Sequence, residues 1–137
     1  MSGLSQDSAK HSVMIVDDDK DILSVTSKIL ERSGFKVHGF SDPIAALQHV
    51  ENGCMECGVL VSDVRMPKMT GFQLVRRTKE LRPNMKIIMM TAFEVSKSEF
   101  ESVFPSTPID NIVRKPFLPP ELVEAITETY KQTRNAA

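Results

Sequence analysis

The sequence predicts an α/β protein in which a doubly wound parallel sheet carries helices on both faces. Five short segments of strand character, three of them largely apolar, alternate along the chain with five segments whose apolar residues recur at helical spacing. The third apolar run, 58–63, is rich in β-branched residues and lies between a glycine and a later proline, which is typical of a strand buried on both faces. Neither internal repeats nor low-complexity tracts interrupt this alternation. Together these observations favour a single sheet with alternating helices.

The clearest strands are predicted from largely apolar runs, because a parallel sheet is covered on both faces. All five strands are expected over 12–16, 35–40, 58–63, 85–90 and 109–114. Right-handed crossovers bring the carboxyl end of every strand to one edge of the sheet. Open α/β sheets bind their ligands at this edge.

Helices are predicted between the strands by spacing and by end signals. Asp19 is the expected N-cap of the first helix, and Ser33-Gly34 ends it. This helix carries an apolar stripe formed by Ile22, Val25 and Ile29, with Leu23 and Leu30 beside it. The other helices are expected over 43–51, 71–81, 96–104 and 119–134.

Composition indicates one globular domain of ordinary character. The 137 residues are 41% hydrophobic and 26% charged, with a net charge of −1. That balance argues against direct nucleic-acid binding, which needs a basic face, and no apolar run is long enough to span a membrane. We expect a flexible N-terminal tail over 1–11, one domain over 12–134, a short end over 135–137 with no effector domain, and a cytoplasmic location.

Polar side chains follow four of the five predicted strands. Asp17-Asp18 follows the first strand, Asp63 ends the third, Thr91 follows the fourth and Lys115 the fifth. Three carboxylates at one edge repel one another, and a magnesium ion with oxygen ligands removes that conflict. A lysine ammonium and a threonine hydroxyl nearby suit a transferring phosphoryl group. The pattern therefore favours phosphoryl transfer to an aspartate.

Taken in order, these motifs resemble the receiver domain of two-component response regulators. The stretches that carry the resemblance are Val16-Asp17-Asp18-Asp19, Asp63-Val64-Arg65-Met66-Pro67, Gly71, Thr91-Ala92 and Lys115-Pro116. The resemblance covers about residues 12–134. It implies a flavodoxin-like sheet with strand order 2-1-3-4-5.

The resemblance also implies roles for individual residues. Asp63 would be the phosphoacceptor, Thr91 would donate its hydroxyl to the phosphoryl group, and Lys115 would pair with that group. Lys115-Pro116 resembles a cis peptide of the family, a form that proline makes accessible.

A magnesium cofactor is implied by the same resemblance. Asp18 and Asp63 would ligate Mg²⁺ through their carboxylates and Arg65 through its backbone carbonyl. Asp17 would act mostly through a bound water.

The partners implied are a sensor histidine kinase or phosphotransfer protein, an unidentified downstream protein, and a second copy of the chain in a phosphorylation-dependent homodimer. The chain would not be an enzyme toward an external substrate, because its only reactions would be self-catalysed phosphotransfer and slow autodephosphorylation. Hydrolysis of the phosphoaspartate is expected to be slow because Arg65 and Phe93 would flank the path of the attacking water.

Two departures from the family pattern affect the output. Ile112 stands where the family has its switch aromatic, and two prolines restrict the loop 105–108. A degenerate, phosphate-independent interaction module is therefore one alternative. A haloacid-dehalogenase-type phosphatase is another, since Asp17-x-Asp19 superficially fits its start, although the order of the later motifs argues against it.

The two cysteines form a lone Cys-x-x-Cys, Cys54 and Cys57, with His49 upstream. Zinc sites in proteins use four ligands at recognisable spacing, and the sequence offers no second pair to complete one. We therefore expect these cysteines to hold no metal. His11 and His38 are isolated in the sequence and are expected to be packed or exposed.

Overall fold

The computed structural model describes residues 11–53, 57–92 and 109–136, with side chains as far as Lys131. These residues contain one parallel five-stranded sheet, formed by β1 (Ser12–Val16), β2 (Lys36–Phe40), β3 (Cys57–Asp63), β4 (Lys86–Thr91) and β5 (Asn111–Arg114). The strand order is β2-β1-β3-β4-β5. Both the predicted fold class and the predicted order are thus confirmed.

Four helices flank this sheet in the described part of the chain. They are α1 (Lys20–Arg32), α2 (Pro43–Glu51), α3 (Gly71–Leu81) and α4 (Pro119–Ala136). The predicted helix over 96–104, the loop 105–108, Phe93, Cys54 and the tail over 1–10 lie outside the described residues. None of the described helices has the length and apolarity needed to cross a bilayer.

The register of the sheet aligns the carboxyl ends of its central strands. Asp63, the last residue of β3, lies opposite Met90, and Thr91, the last residue of β4, lies opposite Arg114. Asp17 directly follows β1 and continues its pairing, since its backbone N–H donates to a carbonyl of β2. The polar residues predicted at strand ends therefore share one edge of the sheet.

The core consists of two apolar layers, one on each face of the sheet. Successive residues of a strand point to opposite faces, so a strand covered on both sides is apolar throughout. One layer packs under α2 and α3 and includes Met14, Leu60, Ile87, Leu47 and Leu74. The other packs under α1 and α4 and includes Ile15, Val61, Ile88, Leu30 and Leu122.

The predicted helix-end signals act as expected. The side chains of Asp19, Asp42 and Thr70 each accept backbone N–H groups in the first turn of α1, α2 and α3. Gly34 and Gly53 follow α1 and α2 with φ of 98° and 85°, a conformation that glycine adopts without strain. Local sequence therefore defines where these helices begin and end.

The boundaries of β1 match the prediction, and those of the other four strands differ from it by one or two residues. The largest difference is at β5, which begins at Asn111 rather than at Ile109. The reason is Asp110: its carboxylate accepts the N–H of Ile87 at 2.7 Å, and its own N–H donates to the Ile87 carbonyl at 2.8 Å. The Asp110 carboxylate thus accepts the Ile87 N–H of β4, which could otherwise pair with the backbone of a longer β5.

The buried face of α1 is not the stripe that spacing alone picks out. Thr26 and Leu30 are buried, whereas Val25 is 58% exposed and Ile22 and Ile29 are half-buried. The predicted stripe instead lines an apolar cavity of about 610 Å³ between α1 and the segment that follows β5. The helix prediction is confirmed, but the face that enters the core is rotated from that stripe.

Candidate functional site

Three carboxylates converge at the carboxyl edge of the sheet. One ligand oxygen from each of Asp17, Asp18 and Asp63 lies within 4.8 Å of the other two. Asp17 is completely buried, Asp63 is half-buried and Asp18 is exposed, so the cluster opens to solvent on one side. The fold brings together residues that stand 45 positions apart (63 − 18) in the chain.

Lys115 is the cation of this cluster. Its Nζ donates to Asp17 Oδ2 at 2.8 Å and lies 3.5 Å from Asp63 Oδ1. The residue directly follows β5, and its backbone N–H donates to the Thr91 carbonyl at 2.7 Å, which extends the sheet to the site. The Lys115-Pro116 peptide is cis, as the resemblance implies.

Burial and charge act in opposite directions on the ionisable groups here. Burial alone lowers the pKa of the Lys115 ammonium, but the hydrogen bond to Asp17 and the charge of Asp63 outweigh it, so this pKa lies above its ordinary value. Burial raises the pKa of the Asp63 carboxyl above its ordinary value, although the Lys115 charge opposes the rise. The cluster thus favours a charged lysine and disfavours a second buried anion.

Backbone contacts orient Asp63. Its Oδ1 accepts the N–H of Val64 at 3.0 Å, and its carbonyl accepts the hydroxyl of Ser62 at 3.0 Å. The N-terminus of α3 then returns to the same place, because the Gly71 N–H donates to the Val64 carbonyl at 2.8 Å. A Cβ on residue 71 would lie 2.2 Å from the carbonyl oxygen of Asp63, so only glycine fits this approach.

Two further residues singled out in the sequence lie at this edge. Thr91 ends β4 and is buried next to the strand that delivers Lys115. Arg65 follows Asp63 by two residues, is exposed and begins the loop to α3. Both residues take part in further interactions.

The donor set fits a hard divalent cation. Carboxylate and carbonyl oxygens are the ligands that magnesium prefers, and it usually retains several waters in an open site. The three carboxylates meet that description, with one oxygen each close enough to share an ion. The adjoining 610 Å³ cavity is apolar and shares only Lys115 with this cluster, so it is not the chemical centre.

A buried aspartate that follows a strand, two further carboxylates and a lysine define the class of the protein: it is a doubly wound α/β domain with an acidic site at the carboxyl edge of its sheet. A family model described as "Response regulator receiver domain" matches residues 13–127. The chain therefore belongs to the response regulator receiver family.

Curated relatives agree with this assignment. The chain is 29% identical over 114 residues to the response regulator receiver protein CpdR of Brucella abortus, covering 83% of this chain and 92% of that protein. It is 30% identical to the regulatory protein VanRc of Enterococcus gallinarum and 28% identical to the C4-dicarboxylate transport regulator DctD of Rhizobium meliloti. Those matches cover 83% and 93% of this chain but only 47% and 27% of the two relatives, so the chain spans half or less of their length.

Solved structures show the same architecture. A CheY-like response regulator receiver domain from Methanospirillum hungatei superposes with a TM-score of 0.81 at 30% identity, over 93% of this chain and 98% of that one. The chemotaxis protein CheY4 of Vibrio cholerae superposes with a TM-score of 0.77 at 26% identity, over 87% and 98% of the two chains.

Proposed function

We propose that this chain accepts a phosphoryl group on Asp63 from the phosphohistidine of a sensor kinase or a phosphotransfer protein, and that it signals through protein contacts. The observation that supports this most is the position of Lys115, whose ammonium lies between the carboxylates of Asp17 and Asp63. A charged group at that place can pair with an oxygen of a phosphoryl group attached to Asp63. Family membership supports the same role.

In the proposed reaction an oxygen of the Asp63 carboxylate attacks phosphorus. The new bond is P–O, the bond that breaks is the P–N bond to the donor imidazole, and the imidazole leaves with its electron pair. The Val64 N–H donates to the Asp63 side chain and the Ser62 hydroxyl donates to the Asp63 carbonyl, and together these contacts hold Asp63 at the end of β3. Such positioning supplies a large part of the rate in phosphoryl transfer.

Magnesium would be held by Asp18 and Asp63, by the Arg65 carbonyl, and by Asp17 mostly through water. When bound, it neutralises the carboxylates and the charge that develops on the phosphoryl oxygens. Asp17 has a second function, since its buried carboxylate accepts the Lys115 ammonium at 2.8 Å and the Asp19 N–H at 3.0 Å. It thereby holds the lysine close to Asp63.

Thr91 is proposed to donate its hydroxyl to the phosphoryl group. Its place at the end of β4, one strand from Asp63, supports this role. Phosphorylation adds a charge of about −1.5 to −2 at the site, which would draw Thr91 and Lys115 toward Asp63.

The output is proposed to proceed without an aromatic rotation. Ile112 lies in β5 opposite Met89, and it packs half-buried against the core layer under α2 and α3. A branched aliphatic side chain there can shift its packing but cannot supply a large flip. Binding of the downstream partner, or formation of a homodimer on phosphorylation, would then depend on changes in charge and packing at this edge of the sheet. A cytoplasmic location and slow autodephosphorylation are part of the same proposal.

Intact-mass spectrometry after incubation with a small phosphodonor tests the proposal. Wild-type protein should gain the mass of one phosphoryl group with Mg²⁺ and none with a chelator. Asp63→Asn should gain none, whereas the control Asp42→Asn, at the exposed N-cap of α2, should label normally. Normal labelling of Asp63→Asn would reject the assignment. Absence of labelling in the wild type would favour a phosphate-independent interaction module.

A further inference from the structure

A second cluster of metal-ligand side chains lies away from the acidic site. One ligand atom from each of His38, His49 and Cys57 lies within 4.8 Å of the other two. Cys57 Sγ is 3.9 Å from His49 Nε2, and the two imidazole ring centroids are 4.9 Å apart. Cys57 is completely buried and both histidines are half-buried, so the cluster is shielded from bulk water.

The fold assembles these residues from three different elements. His38 lies in the edge strand β2 opposite Met14, His49 lies in the last turn of α2, and Cys57 is the first residue of β3. The sequence offers no second Cys or His pair beside the Cys-x-x-Cys. The structure places two histidines, His38 and His49, beside Cys57.

Cys57 carries the redox chemistry of the cluster. It is disulfide-bonded in this structure. A disulfide sulfur is not a thiolate, and thiolate is the form that binds metal. The cluster therefore offers two imidazole nitrogens when oxidised, and two nitrogens and one thiolate when reduced.

We propose that the reduced chain binds one zinc-like divalent cation through His38, His49 and Cys57, and that oxidation of Cys57 to the disulfide releases it. A dithiol reductant transfers two electrons and two protons to the disulfide, which yields two thiols and oxidises the reductant to its own disulfide. Metal binding then displaces the Cys57 thiol proton to solvent. Oxidation by a disulfide of higher potential reverses both steps.

The ligand chemistry selects the class of metal. Neutral imidazole and thiolate favour zinc and related transition metals, whereas magnesium prefers oxygen ligands. Zinc bonds of about 2.0–2.1 Å to nitrogen and 2.3 Å to sulfur separate tetrahedral ligand atoms by roughly 3.3–3.6 Å. The distances of 3.9 Å and up to 4.8 Å must therefore shorten by about 1.5 Å or less. Side-chain rotation can supply that change.

This cluster is independent of the proposed phosphoryl site. Cys57 and Asp63 are the first and last residues of β3. Six residues of extended strand separate Cys57 from Asp63 by about 20 Å, and His38 lies opposite Met14, about 10 Å along β1 from Asp17. Loss of the zinc site should leave labelling of Asp63 unchanged, so failure of either proposal can be recognised without the other.

Zinc titration of metal-free protein tests the inference, with a chromophoric chelator as competitor and excess Mg²⁺ to occupy the acidic cluster. Reduced wild-type protein should bind one zinc, and oxidised protein should bind at least about tenfold more weakly. His38→Ala, His49→Ala and Cys57→Ser should each weaken binding by at least about tenfold. The matched control is His11→Ala, because His11 stacks on Tyr130 outside the cluster; it should bind as the wild type does.

Thermal or urea unfolding identifies misfolded variants, and the spectrum with Co²⁺ distinguishes binding at Cys57 from adventitious binding. Each variant must show a cooperative unfolding transition without zinc, and His38→Gln and His49→Gln serve if an alanine variant does not fold. With Co²⁺ as the probe, reduced wild type should show a sulfur-to-metal charge-transfer band that Cys57→Ser lacks. Wild-type affinity in folded variants of both histidines, or no stoichiometric zinc in the reduced protein, would overturn the proposal.

Discussion

Replacing Lys115 by alanine should destabilise the domain mainly when magnesium is absent. The Lys115 ammonium bonds to the completely buried Asp17 at 2.8 Å and lies 3.5 Å from Asp63. Without it, the carboxylates of Asp17 and Asp63 lose the ammonium that contacts both of them. Burial already raises the pKa of Asp63, which shows how poorly this edge accommodates a second anion.

The magnitude follows from the burial of the two partners. Leaving one member of a buried ion pair without its partner costs about 3–5 kcal/mol. The site is open on one side, since the side chains of Lys115 and Asp63 are 17% and 15% exposed. Water can therefore screen part of the charge, and we expect Lys115→Ala to lower the free energy of unfolding by about 2–4 kcal/mol.

Magnesium should reverse part of this loss, because a dication satisfies the same carboxylates. A ligand at about 100 times its dissociation constant stabilises the folded state by about 2.7 kcal/mol. In Lys115→Ala, Mg²⁺ no longer competes with the ammonium for the carboxylates. Mg²⁺ should therefore stabilise the variant by about 1–2 kcal/mol more than it stabilises the wild type.

Urea unfolding of both proteins with and without saturating Mg²⁺ measures these quantities. Lys86→Ala is the matched control: Lys86 Nζ is 3.8 Å from Asp110 Oδ1, and both side chains are about a quarter exposed. Lys86→Ala should lower the free energy of unfolding by less than about 1 kcal/mol, with or without magnesium. Equal stabilisation of wild type and Lys115→Ala by Mg²⁺ would refute the view that the ammonium and the metal share these carboxylates.

Three further predictions concern close packing and pH. Gly71→Ala should lower the free energy of unfolding, measured in urea, by about 1–3 kcal/mol and should slow phosphorylation of Asp63, because the added Cβ would clash with the Asp63 carbonyl oxygen. A variant as stable as the wild type would contradict this. Gly58→Ala should be destabilising because its Cβ would lie 2.8 Å from Tyr130 Cε1, and a double-mutant cycle with Tyr130→Ala should show an interaction energy of about 0.5–3 kcal/mol; additivity would argue against the clash. Burial raises the pKa of Tyr130 to about 12 from 10.0, and its hydroxyl donates to the Ser12 carbonyl. The folded state therefore holds this proton more tightly than the unfolded state does. The free energy of unfolding should be unaffected below pH 10 and should fall as the pH rises from about 10 to 12. Tyr130→Phe should not show this fall.

Local physical chemistry was enough to predict the architecture and the edge that carries the site. Strands covered on both faces must be apolar throughout, so their ends are visible as the first charged residues, such as Asp17 and Asp63. Helix ends were equally readable, because the side chains that satisfy their free N–H groups, such as Asp19 and Thr70, are sequence neighbours of those groups. Family resemblance added the strand order, which no local pattern contains.

Only the tertiary structure decided which side chains meet across elements. Spacing on α1 favours the stripe containing Val25, yet the packing of α1 on the sheet buries Thr26 and Leu30 instead. Likewise, nothing in the order of residues indicates that His38 and His49 lie beside Cys57. The physical reason is common to both cases: periodicity defines the faces of an element, but the angle and register at which elements pack determine which face is covered and which distant residues come into contact.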